Sequence, residues 1–103
     1  MGVIYKATCL QSGKSYIGQT KKILDERKRE HERAKDDYAF HVAMRKYGAQ
    51  AFIWEILEEC SNDKLDEREI YWINHFDTYN KGYNLTLGGD NATALINWIN
   101  SHK

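Results

Sequence analysis

Glu69 is the residue whose position most directly suggests chemistry. It lies four residues after Leu65 and four before Ile73, in a helix-forming stretch whose apolar stripe also includes Trp72 and Phe76. An ionised carboxylate on an inward stripe costs roughly several kcal/mol unless a positive charge is nearby. A salt bridge to a neighbouring arginine would meet this need. A divalent cation would also meet it, and a lone carboxylate fits one ion completed by substrate phosphate oxygens and water.

A second group of candidate side chains lies on the helix predicted for Lys22–Lys35. Ile23, Arg27, His31 and Ala34 fall at helical spacing, so one face carries an apolar residue, a guanidinium and an imidazole. A helix that lines a cleft would aim these groups into it, whereas a solvated charged helix would spread them outward. The spacing alone leaves both interpretations open.

The elements that would position these side chains begin with a β-hairpin. Val3–Tyr5 and Tyr16–Gly18 are two runs of β-forming residues joined by a Ser12-Gly13 turn. The pairing of the two runs would bring Tyr5 close to Tyr16.

The remainder of the chain predicts one strand and several helices. Helices are predicted for 38–47, ended by Gly48, from Ser61 or Asn62 to about Phe76, and for 92–100. The apolar stretch 51–60 predicts the longest strand, central in the sheet and paired with the hairpin, and 82–87 predicts an irregular or short extended segment. The fold class is therefore α/β (α+β), with a small, mostly antiparallel three-stranded sheet flanked by helices.

Composition indicates one small globular domain. The 103 residues contain no apolar run near the roughly 20 needed to cross a bilayer, and Met1–Tyr5 does not resemble a signal peptide, so a cytoplasmic location is expected. The 15 basic and 15 acidic residues balance, which argues against strong, sequence-indifferent binding to polyphosphate. Cys9 and Cys60 have no metal-ligand spacing and are expected to be reduced.

The order of the polar residues resembles the GIY-YIG nuclease family. The matching positions are Tyr5, Tyr16, Arg27, His31, Glu69 and Asn84. The resemblance covers roughly 2–89 and is closest to the catalytic domains of phage and intron homing endonucleases. The two tyrosines lie in two triplets, Val3-Ile4-Tyr5 and Tyr16-Ile17-Gly18. In the first triplet Val3 stands before Ile4, and the glycine, Gly2, comes one residue earlier than the pattern expects.

The resemblance implies a metal-dependent endonuclease that hydrolyses phosphodiester bonds in double-stranded DNA. The implied cofactor is Mg²⁺ or Mn²⁺, with no small-molecule cofactor and no membrane partner. Glu69 is implied to hold the metal ion and Arg27 to stabilise charge on the phosphoryl oxygens. Asn84 is implied to orient the site or the substrate.

The resemblance also assigns roles to the tyrosines and to His31. Tyr5 is implied to activate the attacking water, although a free phenol, with a pKa near 10, is a poor base without help. Tyr16 would support Tyr5 or bind the phosphate, and His31 would transfer protons or contact the DNA backbone. Three lysines are candidates for supporting or DNA-contacting roles: Lys14, Lys22 and Lys28.

The implied domain organisation is a catalytic domain at 1–90 followed by 91–103. This last stretch is expected to be a helical extension or the start of a linker to a DNA-binding region that this chain lacks. For a phage-encoded enzyme the expected location is the bacterial cytoplasm. The alternative function is a catalytically silent nucleic-acid-binding or interaction module, but such a module has no need for an inward carboxylate at Glu69. The DNA target and the oligomeric state stay open.

Overall fold

Three antiparallel strands form the centre of the structure, a computed structural model that describes residues 1–86. Strand β1 spans Gly2–Cys9, β2 spans Ser15–Thr20 and β3 spans Phe52–Cys60. The order in the sheet is β2-β1-β3, which confirms the predicted small antiparallel sheet and its pairing with the hairpin.

The prediction that the strand at 51–60 is central is wrong, because β1 pairs on both sides and β3 lies at an edge. Its Ile53 and Ile56 side chains are exposed. Backbone pairing decides which strand lies in the middle of a sheet, so an apolar stretch does not by itself place a strand there.

Four helices accompany the sheet among residues 1–86. Helix α1 spans Leu24–Arg33, α2 spans Ala39–Tyr47, α3 spans Leu65–Phe76 and α4 spans Thr78–Lys81. None of these helices is long and apolar enough to cross a membrane.

The helix predictions are correct in place but not in every boundary. Helix α1 is two residues shorter at each end than predicted, and α2 ends at Gly48, whose φ of 87° requires glycine or strain. A 3₁₀ turn at Asn62–Lys64 delays the start of α3, and α4 was not predicted. The helix predicted for 92–100, and with it the segment 91–103, lies outside the described residues.

Helices pack on both faces of the sheet. On one face α2 contributes to a cluster that contains Ala7, Cys9, Phe40, Ala43, Met44, Phe52 and Tyr83. On the other face α3 contributes to a cluster that contains Ile4, Ile17, Leu65 and Ile73. Neighbouring residues of β1 point to opposite faces, so Ile4 and Ala7 enter different clusters. Phe76 is exposed, contrary to the predicted stripe, and Ile70 is buried.

The outer edge of β2 is covered by the segment that follows α4. The Tyr83 backbone N–H donates to the Ser15 carbonyl oxygen at 2.9 Å. The Asn84 side chain bonds to both backbone groups of Ile17, at 2.8 Å each. This segment therefore satisfies backbone groups that an edge strand would otherwise leave open. At the strand ends, Cys9 and Cys60 are free thiols, as predicted.

Candidate active site

An open cavity of about 370 Å³ lies beside β2. Strand β2, the first three helices and the segment after α4 all contribute to its walls. The polar side chains among the lining residues are those of Tyr16, Gln19, Arg27, Tyr38, His41, Glu69, Tyr83, Asn84 and Thr86. The structure thus brings four of the six predicted site residues to one cavity: Tyr16, Arg27, Glu69 and Asn84.

Arg27 reaches the cavity from α1, where it is partly buried. Its Nη1 donates to Glu30 Oε1 at 3.2 Å, and Lys22 Nζ donates to Glu30 Oε2 at 2.5 Å. These two cations hold the pKa of the Glu30 carboxyl below its ordinary value. Ile23, which was expected to anchor this helix face in the core, is exposed instead.

Glu69 reaches the cavity from α3 and is half-buried. Leu65 and Ile73, one turn before and after it, are fully buried, so Glu69 lies on the inward stripe that the periodicity predicts. No group of three or more His, Cys, Asp or Glu side chains within residues 1–86 is arranged to hold a metal ion. Among the lining residues that the structure describes, Glu69 is the one carboxylate offered to a hard divalent cation, with room for phosphate oxygens and water.

Tyr5 lies behind the cavity, with none of its surface exposed. Its hydroxyl is 2.6 Å from His31 Nε2. Burial raises the pKa of the Tyr5 phenol far above its ordinary value, and the charge of Tyr16 adds to this, while the Arg27 guanidinium opposes it through its charge and a hydrogen bond. A phenolate at Tyr5 is therefore strongly disfavoured.

His31 is buried on α1, with 4% of its surface exposed. Burial, assisted by the charges of Arg27 and His41, lowers the pKa of His31 to about 3. The imidazole is therefore neutral at neutral pH and can accept at one nitrogen while donating at the other.

The predicted proximity of Tyr5 to Tyr16 is confirmed, with ring centroids 6.3 Å apart.

Gly18 makes room for this arrangement. It stands opposite Tyr5 in the hairpin register, and a Cβ at this position would overlap the hydroxyl end of the Tyr5 ring and the Tyr16 ring. The glycine of the second triplet is thus required by a close approach of a side chain, not by its backbone angles.

Tyr16 and Asn84 form part of the cavity wall that β2 supports. The Tyr16 ring stacks on Phe40 of α2, with centroids 4.3 Å apart. Asn84 is buried, and its amide holds the last described segment to Ile17.

Two residues that sequence reasoning missed extend the polar contacts outward from His31. His31 Nδ1 is 2.7 Å from His41 Nε2, and His41 Nδ1 is 2.7 Å from Asp36 Oδ1. His41 also lines the cavity. These residues come from α2 and the loop before it, so the helical period that relates Arg27 to His31 gives no signal for them. A histidine one residue after the buried Phe40 was the available sequence clue.

The three candidate lysines do not line the cavity. Lys14 is exposed in the turn before β2, and is not part of the strand. Lys22 pairs with Glu30, and Lys28 Nζ lies 6.0 Å from the centroid of the Trp54 ring.

The GIY-YIG catalytic domain family matches residues 1–84. The chain belongs to this family. No curated protein sequence matches the chain. Two solved structures share the GIY-YIG fold with it. The catalytic domain of homing endonuclease I-TevI is 27% identical, with a TM-score of 0.69, and the match covers 84% of this chain and 99% of that domain. A mutant of the catalytic domain of intron endonuclease I-TevI is 24% identical, with a TM-score of 0.72, over 86% of this chain and 98% of the other.

These comparisons confirm the family that the ordered polar residues indicated and the α+β fold that the predicted strands and helices indicated. Membership in a nuclease family implies an endonuclease activity for the GIY-YIG domain described here.

Proposed function

We propose that this GIY-YIG domain hydrolyses phosphodiester bonds of double-stranded DNA, with Glu69 as the protein ligand of one divalent cation. The observation that carries the proposal is the convergence of Arg27 and Glu69, from α1 and α3, on one open cavity beside β2. A guanidinium can donate hydrogen bonds to a phosphate diester, and a carboxylate can hold a metal ion against it. An uncharged ligand needs neither group. The family match and the I-TevI structures support an endonuclease acting on DNA.

Each cavity residue has a role that its position supports. Arg27 would donate to the non-bridging phosphate oxygens through its fixed fork of N–H groups. Glu69 would hold Mg²⁺ or Mn²⁺, which supplies charge stabilisation on the phosphoryl and leaving oxygens. Asn84 would keep the cavity wall on β2 through its two bonds to Ile17.

The burial of Tyr5 bears on which tyrosine meets the attacking water. Tyr16 lines the cavity, whereas Tyr5 does not and resists ionisation. We therefore assign contact with water or phosphate to Tyr16. Tyr5 would act indirectly, by its interactions with Arg27 and His31. This assignment reverses the order that the resemblance alone implied.

A supercoiled-plasmid nicking assay with Mg²⁺ or Mn²⁺ tests the proposal. Glu69→Gln and Arg27→Ala should each lower the nicking rate by about 100-fold or more, since each removes a charge that stabilises the transition state. Glu67→Gln on the exposed side of α3 and Arg29→Ala on the exposed side of α1 are matched controls that should retain activity. Equal nicking by Glu69→Gln and the wild-type protein, at matched folded concentration, would refute the metal-ligand role.

Stability measurements separate metal binding from a structural ion pair. If Glu69 served only as the ion-pair partner of an arginine, Glu69→Gln should lower the free energy of unfolding, by about 3–5 kcal/mol for a fully buried pair and by less for the partly exposed Arg27. A metal ligand should instead leave the metal-free stability unchanged or raised. The alternative, a catalytically silent nucleic-acid-binding or interaction module, predicts that the protein does not nick DNA with either metal.

A further inference from the structure

A continuous row of hydrogen bonds runs from buried Tyr5 to the exposed side chain of Asp36. The Tyr5 hydroxyl is 2.6 Å from His31 Nε2, His31 Nδ1 is 2.7 Å from His41 Nε2, and His41 Nδ1 is 2.7 Å from Asp36 Oδ1. The row passes through both nitrogens of both rings. In each ring, the nitrogen that carries the proton is therefore set by the hydrogen bond that the other nitrogen makes.

Hydrogen-bond chemistry gives this row one direction, from its outer end inward, when the His41 ring is neutral. The ionised Asp36 carboxylate only accepts, so His41 must carry its proton on Nδ1. With His41 neutral, its Nε2 then accepts from His31 Nδ1–H. His31 is neutral because of its burial, so its Nε2 accepts the hydroxyl proton of Tyr5.

The inner end of the row is consistent with the same direction. The Tyr5 oxygen also interacts with the Arg27 guanidinium, which has donors and no acceptor. The oxygen therefore turns a lone pair toward Arg27, and its own proton is available to an acceptor. His31 Nε2 is the acceptor that takes it.

We infer that His41 and Asp36 are positioning residues for the cleavage reaction. By fixing the His31 tautomer they turn the Tyr5 hydroxyl toward His31, so that the Tyr5 oxygen holds the Arg27 guanidinium at the cavity. The inference rests on the proposed nuclease function, since Arg27 is the group whose placement matters for phosphate.

Replacement of His41 by leucine removes the acceptor for His31 Nδ1–H. A buried donor without a partner is costly, so the His31 proton should move to Nε2, where the Tyr5 oxygen can accept it. The Tyr5 hydroxyl proton would then point elsewhere and compete with the donors of Arg27. Misplacement of a phosphate-binding group by about 1 Å can lower a rate by about 100-fold.

The test combines ¹⁵N NMR of the histidine rings at about pH 8, above the ordinary histidine pKa of about 6.5, with nicking kinetics. The wild-type protein should show His31 protonated on Nδ1, and His41→Leu should shift that proton to Nε2 and lower kcat by about 10- to 100-fold. His41→Gln, whose amide oxygen can accept at the place of Nε2, should keep the Nδ1–H tautomer and most of the activity. Asp36→Ala should give an intermediate loss, and His75→Leu, at an exposed position on α3, should change neither readout.

The outcomes distinguish this inference from the nuclease proposal. An Nε2–H tautomer of His31 in the wild-type protein, or an unchanged tautomer and rate in folded His41→Leu, would overturn the positioning role. Absence of nicking by the wild-type protein, with the expected tautomers in both proteins, would count against the nuclease function and leave the direction of the row established.

Discussion

Gly18→Ala should destabilise the domain through one side chain, Tyr5. The added Cβ would overlap the hydroxyl end of the Tyr5 ring, which is fully buried. Overpacking of this kind costs about 1–3 kcal/mol, and displacement of the Tyr5 hydroxyl from His31 adds about 1 kcal/mol for the strained or lost hydrogen bond. Part of this loss is offset, because alanine is more favourable than glycine inside a strand by about 0.5–1 kcal/mol of unfolding free energy.

The net expected loss is about 1–3.5 kcal/mol of unfolding free energy, and each kcal/mol lowers the Tm of a domain of this size by about 4–8 °C. Urea unfolding of Gly18→Ala, of Tyr5→Leu and of the double variant measures it as a double-mutant cycle. In the Tyr5→Leu background the ring atoms that clash are gone, so Gly18→Ala should be neutral or stabilising. An equal loss in both backgrounds would refute the reasoning, because the cost would then come from the backbone and not from the ring.

Two further predictions concern pH and DNA. Because the pKa of His31 is about 3 in the folded state and about 6.5 in the unfolded state, the unfolded chain binds more protons between these values. Stability should therefore be fully present above about pH 6.5 and fall by up to about 5 kcal/mol as the pH falls toward 3, and urea unfolding of His31→Gln should show a flatter profile. Residues 1–86 present no element built to enter the major groove, and the whole chain has no net charge, so the chain should bind duplex DNA weakly and with little sequence preference. A salt series on cognate-like and random duplexes measures this, and tight binding at physiological salt with many-fold discrimination would contradict it.

The position of Glu69 could be predicted from sequence because α3 is long enough for its period to be read. Leu65 and Ile73 are both buried as the period requires. The same period failed for Phe76 in the last turn of the helix, which stacks on Trp72 beneath the ammonium group of Lys6 and stays exposed. A periodic pattern describes a face of a helix but not how far the core extends along it.

The contacts between elements could not be read in the same way. The row from Tyr5 through His31 to His41 joins a strand to two helices, and no local spacing relates these positions. The order of the strands also depends on such contacts. Strand β3 lies at the edge although it is the longest strand and begins with an apolar run, while β1, which carries Lys6 and Thr8, is central because it pairs with both neighbours.

Closure of the sheet edge and assembly of the cavity depend on the same segment. Tyr83 and Asn84 cover β2 through Ser15 and Ile17, and both also line the cavity. The Tyr83 hydroxyl is 2.6 Å from the Ser12 hydroxyl, so this segment is also tied to the hairpin turn. A chain that leaves the β2 edge open would therefore lack one wall of the site, even with Arg27 in place. We therefore propose that the Asn84 amide contributes to function by docking this segment, because both of its polar groups bond to backbone and neither is left to contact a substrate.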